Sequence, residues 1–144
     1  GCKSRGCWET ILGGENLTRK VTALCESMSV QIPPGMNPCT FLDLSYNTGQ
    51  DWAIHVCGRY TNALAAFVAN LQAVCNVDVI VWRGSTARGV LETTKQADIL
   101  RAKMRMAIFA PALVDKIRFC YAWTAHPVKD GDEFVGVARL LATS

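Results

Sequence analysis

Long apolar runs are missing from this 144-residue sequence. None approaches the roughly 18 residues that a membrane-crossing helix needs, so no membrane span is expected. Histidine is scarce, with only His55 and His126 present, and few side chains that titrate near neutrality are therefore at hand to serve as a general base. The phosphate-loop pattern GxxxxGK followed by Ser or Thr is absent, as is a nucleophile elbow. The cysteines make no CxxC or Cys/His run of zinc-site type. A formal charge of +3 with no acidic or basic tail is too small to call for nucleic acid as a partner. No internal repeat, low-complexity segment or linker interrupts the chain, which reads as one domain over residues 1–144.

What is present is cysteine. The seven, Cys2, Cys7, Cys25, Cys39, Cys57, Cys75 and Cys120, are scattered in the manner of a disulfide framework, with at least one thiol left over. Persistent disulfides belong to an oxidising compartment. The triplet Asn16-Leu17-Thr18 is a glycosylation sequon that agrees, with Asn16 as the acceptor. A secreted, extracellular chain is the expectation, its Gly1 start matching a mature chain after signal removal.

Leu17, Val21, Leu24, Cys25 and Met28 define one helical face, with Gly13-Gly14 as a turn before it and Asn16 as the expected cap. Residues 32–50, dense in Pro, Gly and Asn, read as a long loop. Trp52, Ile54 and Val56 alternate with polar or small neighbours as a half-buried strand closed by Gly58. Tyr60, Leu64, Phe67, Val68, Leu71 and Cys75 mark the following helix. Val77 to Arg83 is a second strand, and Leu91 to Ile108 a further helix that Pro111 should terminate. Ile117 to Ala125 alternates as a third strand, Lys129-Asp130-Gly131-Asp132 supplies a turn, and Phe134 to Leu141 returns as a fourth. The expected fold is α+β, a four-stranded, mainly antiparallel sheet with helices packed on one face and disulfides to stabilise it.

The stretch VDVIVWRGSTARG, Val77 to Gly89, passes from a strand through a glycine into a helix start. Arg83 and Arg88 bracket Gly84-Ser85-Thr86-Ala87, where a phosphate or carboxylate could be held. A structural joint, with Trp82 covering the sheet and Ser85 or Thr86 as a cap, is the reading preferred. His55 and Cys57, two apart on an alternating strand, would share a face as a thiol–imidazole pair, but Cys57 is assigned to a disulfide. Asp130, Asp132 and Glu133 sit in turn chemistry. Neither a metal nor another cofactor is therefore expected, and the chain is not expected to be an enzyme.

With Trp82-Arg83 ending a strand, scattered cysteines and this order of elements, the chain resembles fungal secreted effectors of the LARS-type avirulence family of plant pathogens. The resemblance implies a non-enzymatic protein that evades or modulates host immunity. Its partner would be a host plant protein or immune receptor, touched through Trp82, Arg83 and Arg88. TNALAAFVANLQA and LETTKQADILRAKMRMAI are similar in spacing to the inner helices of rod-shaped plant-virus coat proteins, and this alternative implies RNA binding through Arg101 and Arg105.

Overall fold

The computed structural model describes residues 8–108 and 111–121. Its backbone is set by one long helix. Ala53, Cys57, Thr61, Leu64, Ala65, Val68, Ala69 and Gln72 are the buried residues of α4, Asp51–Cys75, and they recur at three- and four-residue spacing along one stripe. Asn76 stops the helix in the left-handed conformation, φ 48°, its amide bonded back to Gln72 O, a C-terminal geometry that Asn tolerates better than most residues.

Two cores lie along that stripe. The first joins Ala53 and Cys57 to Leu17, Val21 and Cys25 of α2, Gly14–Ser27, and to Leu42 of α3, Pro38–Asn47. The second joins Leu64, Ala65 and Val68 to Trp82 of β1, Val79–Trp82, to Leu100 and Met104 of α6, Ala97–Ala107, and to Val114 of α7, Ala112–Lys116. Between β1 and α6 run α5, Ser85–Arg88, and a π-helical turn, Gly89–Thr93. A short α1, Trp8–Leu12, begins the described chain, and β2, Arg118–Tyr121, ends it.

The sheet differs from the four-stranded antiparallel expectation. Among the described residues it has two strands, and they are parallel, with Val79 opposite Arg118, Ile80 opposite Phe119 and Trp82 opposite Tyr121. The helical crossover through α6 and α7 is what permits this, since parallel neighbours need a connection of a dozen residues or more. Residues 122–125 of the third expected strand, and the whole return strand to Leu141, lie outside the described residues.

The expected strand at 51–56 is instead the opening of α4. There the small side chains Ala53 and Cys57 are buried while Ile54 is exposed, so alternation of large residues misrepresents which face turns inward. The expected loop at 32–50 contains α3. Pro38 stands at its first position, where a missing N–H costs nothing, and Asn37 Oδ1 accepts from Cys39 N at 2.8 Å. Gly13 rather than Asn16 is the cap of α2. The helix expected at 91–108 is broken at Thr94-Lys95-Gln96, where Lys95 has φ 52°, and α6 ends at Ala107, ahead of Pro111.

The disulfide framework is also corrected. Cys25, Cys39, Cys57, Cys75 and Cys120 are free thiols, while Cys2 and Cys7 lie outside the described residues. Cys25 and Cys57 are each 1 % exposed and pack as small hydrophobes in the first core. No helix among the described residues is long and apolar enough to cross a membrane.

The two cores predict where truncation is felt. Leu100→Ala removes a side chain at 0 % exposure and should cost about 2–5 kcal/mol in urea unfolding. Met106→Ala, at a residue 88 % exposed on the same helix, should stay within about 0.5 kcal/mol.

Candidate functional site at the strand-to-helix joint

At the carboxyl end of β1 the backbone turns at Gly84, whose φ of 87° and ψ of 160° fall in a region that only glycine enters without strain. Among the described residues nothing lies within 4 Å of where a Cβ would stand, so what calls for glycine here is its backbone conformation. The next residues start α5. Gly84 O accepts from Arg88 N at 3.0 Å, and no side chain caps the first turn.

Two close approaches hold the segment that follows. A methyl group at Gly14, the first residue of α2, would lie 2.6 Å from Thr86 Oγ1. One at Gly89 would lie 2.6 Å from Asp43 Oδ2 and 3.2 Å from Oδ1. Glycine at both positions lets α2 and α3 touch the joint. At its far end Asn47 Nδ2 donates to Thr93 O at 3.1 Å.

The π-helical turn is marked by Thr94 N donating to Gly89 O at 2.9 Å, an i to i+5 bond. Its exit is pinned by a buried polar chain. Thr94 Oγ1 donates to Val90 O at 2.7 Å, and Gln96 Nε2 donates to Thr94 Oγ1 at 3.2 Å. The Thr61 hydroxyl bridges the Cys57 carbonyl and Gln96 Oε1. These groups are fully enclosed, and removing one partner would strand the others without water.

Asp43 was not among the residues the sequence singled out. Burial pushes its carboxyl up from 3.8 to about 6, and among the described residues it has neither a hydrogen bond nor an ion pair. A raised, unpaired carboxyl beside a π turn is the kind of arrangement found at functional sites. A lone Asp in a segment read as loop carried no signal for it.

The sequence candidates are placed as follows. Trp82 is buried, edge-on to Phe119 with ring centroids 5.3 Å apart, and its Nε1 has no hydrogen-bond partner among the described residues. Arg83 is exposed beside the turn. Arg88 is also exposed and pairs with Glu92 at 2.8 Å. Asn16 Oδ1 accepts from Arg19 at 2.5 Å, and Thr18 Oγ1 lies 3.3 Å from Cys39 Sγ. His55 is exposed while Cys57 is buried, because two residues along a helix turn through roughly 200°. The basic residues of α6 are engaged within the fold. Arg101 stacks 3.8 Å from the Phe119 ring centroid and donates to Ile117 O at 3.2 Å, Lys103 bonds Asn62, and Arg105 pairs with Asp115 at 2.5 Å. Asp130, Asp132, Glu133 and His126 lie outside the described residues.

A parallel strand pair, joined by helices and opening at its carboxyl end into a glycine turn and a helix start, is a layout of ligand-binding α/β proteins. The ROK family model matches residues 1–136, and the chain belongs to the ROK family. No curated protein and no solved structure matches it.

Membership overturns the effector reading and the coat-protein alternative together. The family includes sugar kinases, so the expectation of a non-enzyme is corrected as well. ROK proteins bind sugars and ATP, or DNA in the repressors, in place of a host immune receptor, and are typically cytoplasmic, against the expectation of secretion.

Two outcomes follow for stability. Gly84→Ala should cost about 1–3 kcal/mol through backbone strain. Gly58→Ala inside α4, with nothing near its added methyl, should gain about 0.5–1 kcal/mol; chemical denaturation measures both. For Asp43, a folded-state pKa raised from 3.8 to about 6 means that the folded protein binds the proton more tightly than the unfolded chain. Stability therefore falls as pH rises from about 4 to about 6 and stays reduced above. Asp43→Asn should stabilise by about 1–2 kcal/mol at about pH 8, allowing for partial solvent screening, and by nothing measurable at about pH 4.

Proposed function

We propose that the chain acts in the phosphorylation of a sugar by ATP, and that the joint after β1 receives the anionic phosphates of the nucleotide. The observation that carries this reading is the Gly84 turn at the carboxyl end of a parallel strand. It leads straight into the start of α5, which no side chain caps among the described residues. Ligands of open α/β sheets bind beyond the carboxyl ends of the strands. Backbone N–H groups at a helix start favour negative charge through both hydrogen bonding and the helix dipole.

Membership in a family that includes sugar kinases supports this class of ligand. In the proposed role Ser85 and Thr86 offer backbone donors, Gly84 lets an oxyanion approach without meeting a Cβ, and the clamp by Gly14 and Asp43 fixes the direction of the segment. Positioning and neutralisation of charge are the protein's main contributions to phosphoryl transfer.

Titration calorimetry with MgADP and a panel of hexoses, together with an assay of hexose-dependent ADP release, tests the reading. Wild type should bind MgADP, more tightly with the accepted hexose present. Ser85→Glu puts a carboxylate at the helix start, where it helps the helix but meets the phosphates, and should weaken MgADP at least about tenfold. Unchanged MgADP affinity in Ser85→Glu, or no nucleotide binding by wild type, overturns the proposal. Sugar-dependent DNA binding without ADP release would assign the chain to the regulators of the family instead.

A further inference from the structure

The α5 and π-turn segment is held by α3 at two points on one face. Asp43 lies against Gly89, and Asn47, one helical turn later, holds Thr93 O. The second contact is a neutral hydrogen bond whose strength does not change with pH. The first is a carboxyl group, and it sits nearer the Gly84 end.

We propose that Asp43 is a positioning residue for the joint, a proton-controlled wedge whose neutral form seats the segment against α3 and whose ionised form releases its Gly84 end. The geometry leaves the carboxyl little choice. Both of its oxygens lie against the backbone at Gly89, 2.6 and 3.2 Å from where a Cβ would stand. An ionised carboxylate left without a donor must draw water in or swing outward, and either motion opens the contact. Val90 and Leu91 stay buried in the second core, so the shift falls on the residues ahead of Gly89 and reaches the turn at Gly84 through Thr86, where it lies against Gly14.

The titratable groups that face Asp43 do not obscure its effect. Cys39, on its own helix, and Cys57, on α4, both feel its charge, and both thiols are raised by burial, Cys57 to about 12, so both stay neutral through the range in which Asp43 titrates. The π turn presents the Gly89 backbone, and its one charged side chain, Glu92, is exposed and paired with Arg88. The coupling to ligand rests on the anion site proposed above. A negative charge at Asp43 also repels an anion at the start of α5, so release of the segment and repulsion act in the same direction.

Two measurements on the full chain separate the wedge from the anion site. In nitrogen-15 NMR without ligand, the Gly84 and Gly89 amide resonances of wild type should step with a midpoint near pH 6, and both steps should vanish in Asp43→Asn. A flat Gly84 resonance in wild type, or a step that survives in Asp43→Asn, overturns the wedge. A contact that only stabilised the fold would not move Gly84, five residues away.

Sulfate, whose charge is constant over this range, then probes the coupling. Its dissociation constant in wild type should rise about three- to tenfold between about pH 5 and about pH 7.5, and stay level in Asp43→Asn at the low-pH value. Parallel profiles in the two proteins overturn the coupling. Absence of sulfate binding in both at every pH overturns the anion site, and the Gly84 resonance still decides the wedge.

Discussion

Burial of a single stripe on α4 is the constraint that the rest of the structure obeys. Its amino-terminal turns are covered by α2 and α3, and its middle by β1, α6 and α7. Covering so long a stripe takes elements from both ends of the described chain. β1 and β2 must then approach the helix from the same direction, and a parallel pair with a helical crossover satisfies that demand. The joint at Gly84 inherits its position from this arrangement, since β1 ends where Trp82 enters the core beside Leu64 and Val68.

Small residues decide how closely the pieces meet. Ala53, Cys57 and Ala65 let neighbouring helices come near α4, and Gly14 and Gly89 do the same at the joint. In this interior Thr61, Gln96 and Thr94 satisfy one another as a connected polar set. Gln72 Oε1 and Trp82 Nε1 are buried without partners among the described residues. Asp43 is a departure of another kind, a carboxyl kept at the edge of the core against its own solvation.

Strong periodicity was legible from residues alone. Leu17, Val21 and Cys25 mark α2 correctly, Leu64 and Val68 mark α4, and the apolar run Val79 to Trp82 is a strand, as is Arg118 to Tyr121. What failed did so for physical reasons. Trp52, Ile54 and Val56 imitate a strand because the helix buries Ala53 and Cys57, whose small size gives a weak pattern. Pro38, a turn former of the expected loop, begins a helix instead, with Asn37 as its cap. Scattered cysteines were read as bridges, although two of them serve as core residues of ordinary hydrophobic character. Strand direction depends on the path of the crossover, which local alternation does not encode. At the site, the glycine turn after VDVIVWR was visible, while Asp43 was not, because its setting is completed by Gly89 of the π turn, far along the chain.

The π turn carries a consequence for changes in chain length. A π turn holds one residue more than the α-helix it replaces, so the stretch Gly89–Thr93 stores a surplus residue between the joint and α6. Deleting one residue there would let the backbone close into ordinary α-helix, with no bond lost. It would also rotate the residues just ahead of the deletion by about 100°, turning Thr86 away from Gly14 and re-aiming the glycine turn. Insertions and deletions here act as a change of angle, and a chain one residue shorter at this point would seat Val90 and Leu91 differently against the second core.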